Sequence, residues 1–160
     1  MDKSSVWARV DNRLVHGQVI ETWLPYSHAH TLIVCHDGLA QDELQQEIIC
    51  LAVPRGVRIL FSRVPQILHT LRSCCEPCHG NEVFVLFASC TDARRAFESG
   101  LTFRSLNIGN LHYTPGKEQV CDHIAVDKED VNCLRFFKNK GIKLDFRCVP
   151  NKQVQVKTLW

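Results

Sequence analysis

Arg9, Arg13 and His16 lie within one short run, Arg9-Val10-Asp11-Asn12-Arg13-Leu14-Val15-His16-Gly17-Gln18, directly behind the apolar stretch Val6-Trp7-Ala8. Two guanidinium groups beside an imidazole suit phosphoryl chemistry. The ring nitrogen supplies the nucleophile, and the planar forks hold and neutralise the phosphoryl oxygens. Imidazole keeps a free lone pair near neutral pH. Gly17 leaves room for an anion near the backbone, and Gly17 and Gln18 would supply N–H groups at a helix start. Asp11 suits the orienting of an arginine or the histidine better than the role of a base, because neutral imidazole already has its lone pair. Arg9, at a strand end, could instead pair with Asp11 or Asp37, since Arg–carboxylate pairing is common. The same residue types also occur in solvated turns with an incidental histidine, so spacing alone leaves both readings open.

The elements needed to position this turn can be read from hydrophobic periodicity. Val6–Val10 reads as a strand. Residues 17–24 read as a short helix with Val19, Ile20, Trp23 and Leu24 on one face and Pro25 as its stop. Residues 30–35 and 83–88 are apolar throughout, as expected of central parallel strands. Further strands are expected at 57–61, 105–108 and 143–149, with a possible antiparallel one at 120–126. The clearest helical pattern spans 41–53, where Leu44, Ile48 and Leu51 form the stripe expected to face the core. Other helices are expected from Pro65 to Leu71, from a Thr91 or Asp92 cap to Ser99, and from Asp127 to about Lys140, closed by Gly141.

Alternating strands and helices predict an α/β fold: an open, mostly parallel sheet with helices on both faces, leaving room for one antiparallel edge strand. Turns after parallel strands gather at one sheet edge. That rule predicts one site from Arg9 to Gln18, His36-Asp37, and Gly109-Asn110-Leu111-His112.

Resemblance sharpens the reading. The run R-V-D-N-R-L-V-H-G-Q-V resembles the signature of IIB components of the mannose/fructose/sorbose-type bacterial sugar phosphotransferase system (PTS). Three later pieces match that family in order: Ile33-Val34-Cys35-His36-Asp37 with Asp42-Glu43-Leu44; Leu106-Asn107-Ile108-Gly109-Asn110; and Gly141-Ile142-Lys143-Leu144 leading to Val149-Pro150. The Leu106–Tyr113 run resembles the N-acetylgalactosamine-type branch. Asn12 stands where many relatives carry a second aspartate.

The resemblance implies a protein-Nπ-phosphohistidine–sugar phosphotransferase. In that role His16 takes a phosphoryl group from the phosphorylated IIA component. It passes the group to a hexose or amino sugar entering through membrane IIC/IID components. Arg9 and Arg13 match the motif arginines, and Gly17 and Gln18 complete the phosphate cradle. Asp11, Asp37, His36, Asn110 and His112 are the supporting residues. The resemblance also implies a homodimer, no cofactor and no metal. An alternative is a regulatory phosphocarrier that uses the same His16 without serving a transporter.

Composition fits this picture. A chain of 160 residues, 45% hydrophobic and 22% charged, is long enough for one substantial core and is read as a single IIB domain over 1–160. A net charge of +2 is too small to imply nucleic acid. No apolar run approaches membrane-spanning length, and no signal-peptide core follows Met1-Asp2-Lys3-Ser4-Ser5, so a cytoplasmic protein, peripheral to its transporter, is expected. Nine cysteines without a secretion signal oppose a disulfide framework. Cys35, Cys50 and Cys148 read as small buried hydrophobes. Cys74, Cys75, Cys78 and His79 form a C-x-x-C-H run that could bind metal or haem, but with no second close pair it reads as a reduced surface loop.

Overall fold

The computed structural model describes residues 6–74 and 83–160. Among the described residues eight strands are formed: β1 Val6–Asp11, β2 Thr31–Cys35, β3 Arg58–Ser62, β4 Val83–Phe87, β5 Ser105–Asn110, β6 Glu118–Cys121, β7 Ile124–Val126 and β8 Lys143–Asp145. Five α-helices accompany them among the described residues: α1 Leu24–Ser27, α2 Glu43–Ala52, α3 Ile67–Cys74, α4 Cys90–Glu98 and α5 Lys128–Asn139. Six strands pair in the order β3-β2-β4-β1-β5-β8, and every pairing is parallel. The antiparallel element is a separate hairpin, β6–β7, beside the sheet rather than one of its edge strands.

Strand alternation divides the core. Ala8, Val10, Ile33, Val85, Phe87 and Ile108 face a cluster shared with Ile67, Ala93, Leu134 and Phe137 of the later helices. Leu32, Val34, Phe84 and Leu86 face the opposite way, toward Val19, Trp23 and Leu24. Trp7 belongs to this second face, and period-2 alternation puts Arg9 and Asp11 there with it. A polar pair thus continues an apolar strand into the site.

Several expectations are corrected. Pro25 does not stop the first helix. The preceding segment, Val19–Trp23, is a π-type turn in which Leu24 N–H donates to Val19 O, and the chain runs on into α1. The wider turn accommodates a proline that lacks an N–H and would clash in a regular α-helix. The helix ends at His28, which takes a left-handed φ of 55°. The cap of α4 is Ser89, whose hydroxyl accepts from Asp92 N–H at 3.1 Å, so Thr91 and Asp92 lie in the first turn. The Asp127–Asp130 capping box of α5 forms as expected.

Strand β8 stops at Asp145 rather than Val149. There Arg147 folds back on the Asp145 carboxylate at 2.8 Å, and Asn107 Nδ2 donates to the carbonyls of Asp145 and Arg147. The stripe of α2 does not face the core: Leu44, Ile48 and Leu51 are 66%, 52% and 88% exposed. The half-buried positions of that segment are Gln46, Ile49 and Val53. Cys50 is therefore exposed, Cys35 is buried as expected, and Cys148 is half-buried.

Candidate functional site

Asp11 is the hub of the turn after β1. Its side chain is fully buried, and Oδ2 accepts from Arg9 Nη2 at 2.9 Å, His16 Nε2 at 2.8 Å and Asn110 Nδ2 at 2.9 Å. Oδ1 accepts from Arg13 N–H at 3.0 Å, and the Asp11 carbonyl accepts from Leu14 N–H at 2.9 Å. These bonds fold a tight turn in which Leu14 takes φ 54°, a conformation uncommon for a leucine. The turn carries His16 back over the strand end. An ionised carboxylate only accepts, so this contact suits the Nε2–H tautomer of His16, in which Nδ1 carries the lone pair.

Arg9 lies beneath this pair with 1% exposure. Its guanidinium also donates to Asn107 Oδ1 and, at 3.5 Å, to Gln18 Oε1, and it stacks 5.0 Å from the Trp23 ring. Burial lowers its pKa from the ordinary arginine value, while Asp11 works against that shift and favours the charged form. Of the two carboxylates weighed for Arg9, the structure pairs it with Asp11. Asp37 instead accepts from Val64 N–H at 2.8 Å and pairs with Arg95 at 3.4 Å. The Val64 bond is the main cause holding the Asp37 carboxyl below its usual range.

The other expected residues divide clearly. Asn110 joins Asp11 and also donates to Gln18 Oε1 at 3.4 Å. Gln18 contributes its side chain, and its Nε2 donates to Cys148 Sγ at 3.1 Å. Gly17 is exposed at the helix start, where the first N–H groups lack intrahelical acceptors. Arg13 is exposed, and among the described residues its guanidinium makes no hydrogen bond or ion pair. His112 accepts from Asn12 Nδ2 at the rim. His36 and Asp37 are not brought into the cluster. They follow β2, with β4 between it and β1, and the His36 ring accepts from Leu39 N–H at 3.0 Å.

Three residues of the cluster were given no role from sequence, although Gly109 lies in a turn expected at the site and Asn107 in a family-matching run. Asn107 sits opposite Arg9 in the β1–β5 register and ties it to the chain leaving β8. Trp23 is fully buried between Arg9 and Arg147, whose Cζ lies 5.5 Å from its ring, and its Nε1 donates to Cys148 O at 2.8 Å. At Gly109 a Cβ would overlap the Arg9 guanidinium, so only glycine lets that side chain cross β5. The period-2 pattern could have found Asn107 and Gly109, because both alternate with the core residues Leu106 and Ile108 and so share the Arg9 face.

Gly109→Ala is expected to force Arg9 aside, lowering stability by about 1–3 kcal/mol, the usual range for overpacking a tight site. Urea unfolding of purified protein measures this. An unchanged midpoint would mean that the guanidinium shifts at no cost.

Among the described residues no three His, Cys, Asp or Glu side chains gather as a metal site. Cys75, Cys78 and His79 lie outside the described residues; Cys74 ends α3. No helix among the described residues is long and apolar enough to cross a membrane.

The site is thus a half-buried histidine seated on a buried Arg–Asp pair at the carboxyl edge of an open parallel sheet. The family model for the PTS system sorbose subfamily IIB component matches residues 5–159. The N-acetylgalactosamine-specific phosphotransferase enzyme IIB component 1 of Escherichia coli (strain K12) is 32% identical over 146 residues, covering 91% of this chain and 90% of that protein. The PTS system mannose-specific EIIAB component of the same organism is 32% identical over 143 residues, covering 89% of this chain and 43% of that longer protein. The crystal structure of the Escherichia coli N-acetylgalactosamine-specific IIB component 1 superposes with a TM-score of 0.86 at 29% identity, covering 94% of this chain and 98% of that one. The chain belongs to the sorbose-subfamily IIB components of the sugar phosphotransferase system, a phosphocarrier family of sugar transport.

Proposed function

We propose that His16 is the phosphoryl carrier of this chain and that Nδ1 is the atom that takes the group. The observation carrying the proposal is the 2.8 Å contact between Asp11 Oδ2 and His16 Nε2, which leaves Nδ1 as the nitrogen with a lone pair. That lone pair attacks the phosphorus of the phosphohistidine on IIA. The P–N bond there breaks, and its electron pair returns to the IIA imidazole. In the second step a sugar hydroxyl attacks the same phosphorus, the bond pair returns to His16 Nδ1, and the hydroxyl proton passes to water. No metal is needed, because the charge spread over the phosphoryl oxygens falls to arginine and backbone donors.

Each neighbour has a distinct part. Phosphorylation at Nδ1 with Nε2 still protonated makes the ring cationic, and Asp11 balances that charge. Arg9 is enclosed, so it holds Asp11 and compensates its buried charge rather than reaching the phosphoryl oxygens. Arg13, exposed and uncommitted, takes the oxygens, aided by N–H groups at Gly17 and Gln18. Asn110 and the Gln18 side chain fix Asp11 and Arg9. His112, His36 and Asp37 frame the surface on which the partner lands.

The donor is the IIA component of the same system. A homologous relative named EIIAB supports the pairing of the two functions. Residues 1–160 act as one IIB domain, cytoplasmic and peripheral to IIC/IID, and the substrate is a hexose or amino sugar. Reconstitution with phosphoenolpyruvate, enzyme I, HPr and the matching IIA tests this, with nitrogen-15 NMR of the labelled protein to identify the phosphorylated atom. Phosphate on Nε2 or on another residue would overturn it.

Arg13→Lys keeps the charge but loses the two-pronged geometry. Transfer to and from His16 is expected to slow by on the order of 10-fold to 1,000-fold, the range for removing one charge-stabilising contact. Rapid-quench labelling in both directions reads this directly, and unchanged rates would place Arg13 outside the site.

A further inference from the structure

Cys148, on the chain leaving β8, holds the first helical segment at two points. Its sulfur accepts from Gln18 Nε2 at 3.1 Å, and its carbonyl accepts from Trp23 Nε1 at 2.8 Å. On a regular α-helix, residues five apart point roughly 140° apart, which would turn Gln18 and Trp23 to different sides. The π-type turn over Val19–Trp23, with its i→i+5 bond, narrows that angle and lets one residue reach both. Cys148 is itself pinned through its neighbour. Arg147 pairs with Asp145 at 2.8 Å, its Nη1 donates to Pro150 O at 2.8 Å, and its carbonyl accepts from Asn107 Nδ2 at 3.1 Å.

What the sulfur fixes is the direction of an amide. Gln18 Oε1 accepts from Arg9 Nη2 at 3.5 Å and from Asn110 Nδ2 at 3.4 Å. Both nitrogens also donate to Asp11 Oδ2 at 2.9 Å. Each carries two protons, so Gln18 takes the one that Asp11 leaves. A reversed amide would set its own N–H groups against these two donors. The correct direction leaves Nε2 in need of an acceptor, and among the described residues Cys148 Sγ is that acceptor. An aliphatic side chain would fill the same half-buried place and accept nothing.

We infer that Cys148 is a positioning residue for phosphoryl transfer. Its sulfur holds the Gln18 amide toward Arg9 and Asn110, and these hold the Asp11 carboxylate under His16. The inference rests on His16 being the carrier. Cys148 acts through Gln18 and needs no contact with the phosphoryl group.

Packing and hydrogen bonding predict opposite outcomes for two substitutions: Cys148→Ser keeps an acceptor, whereas Cys148→Val keeps only apolar bulk. Rapid-quench transfer from phosphorylated IIA reads both, with circular dichroism to confirm folding. The serine protein is expected within about twofold of wild type and the valine protein about 3-fold to 10-fold slower, the factor one net hydrogen bond supplies. The loss should fall on the maximal rate, with the half-saturating IIA concentration unchanged. In a Gln18→Leu background Cys148→Val should cost nothing more, because the coupling runs through that amide. A valine protein at the wild-type rate, a slow serine protein, a loss confined to half-saturation, or a full further loss without Gln18 would each overturn the inference. Solvent exchange of the Gln18 side-chain amide in wild-type protein, read by nitrogen-15 NMR, decides the matter if the valine protein does not fold. It should be slower than that of the exposed Gln45, and equal exchange would overturn the clamp. Wild-type protein that never labels on His16 would overturn the functional reading as well, whereas normal labelling with any of these contrary results overturns this inference alone.

Discussion

His16→Ala protein is expected to fold and to take no label from phosphorylated IIA, whereas His36→Ala and His112→Ala proteins still accept it. The contrast follows from where the imidazoles sit. His16 rests on Asp11 at 2.8 Å with Arg13 exposed beside it in the same turn. His36 presents its Nδ1 to Leu39 N–H, and His112 presents its Nδ1 to Asn12, so in both rings that nitrogen is already occupied. Neither has an arginine pair in its own turn. Removing the His16 ring leaves Asp11 its bonds to Arg9, Asn110 and Arg13 N–H, so the loss of stability should be about 1 kcal/mol, one net hydrogen bond. Far-ultraviolet circular dichroism and urea unfolding establish the fold, and labelling with radioactive phosphoenolpyruvate through the reconstituted chain reads the transfer. A folded His16→Ala protein that labels at the wild-type rate would end the proposal.

The strands and the first turn were legible in sequence because their signals are local. Continuous apolar runs at 31–35 and 83–87 can only be buried on both faces, and both strands are fully buried. The turn was legible because it concentrates charge directly behind such a run. Arg9 shows the limit. Sequence placed it among the phosphate contacts, but its surroundings come from distant segments: Asn107 and Gly109 on β5, Trp23 on the first helix, and Cys148 through Gln18 and Trp23. Only the pairing of β1 with β5 reveals that the guanidinium is enclosed. Likewise, the stripe on α2 has a sound helical period, but periodicity reports that a face wants burial and not which molecule supplies the surface. The early end of β8 was hidden for a related reason. It depends on Asn107 capturing two carbonyls from across the sheet.

Asp11→Asn should be more damaging to the protein than loss of the histidine itself, although the two side chains are nearly isosteric. Four donors converge on this carboxylate: Arg9 Nη2, His16 Nε2, Asn110 Nδ2 and Arg13 N–H. An amide offers one oxygen and brings donors of its own, so at least one of these contacts becomes donor against donor. Arg9 would also lose its counter-charge while only 1% exposed, and breaking a buried pair from one side costs about 3–5 kcal/mol. The chemical effect is separate. If the amide N–H₂ turns toward His16, Nε2 must accept, and the ring proton moves to Nδ1, the atom proposed to carry the phosphoryl group. A wrong tautomer held by the orienting residue lowers a histidine's reactivity by up to about 10,000-fold in hydrolases that use the same Asp–His logic. Labelling of the folded variant is therefore expected to fall by roughly 100-fold to 10,000-fold, with nitrogen-15 NMR of His16 showing the proton on Nδ1. A variant of wild-type stability would contradict the buried-pair account. A variant that keeps the Nε2–H tautomer and labels at full rate would show that Asp11 neither orients His16 nor balances its charge.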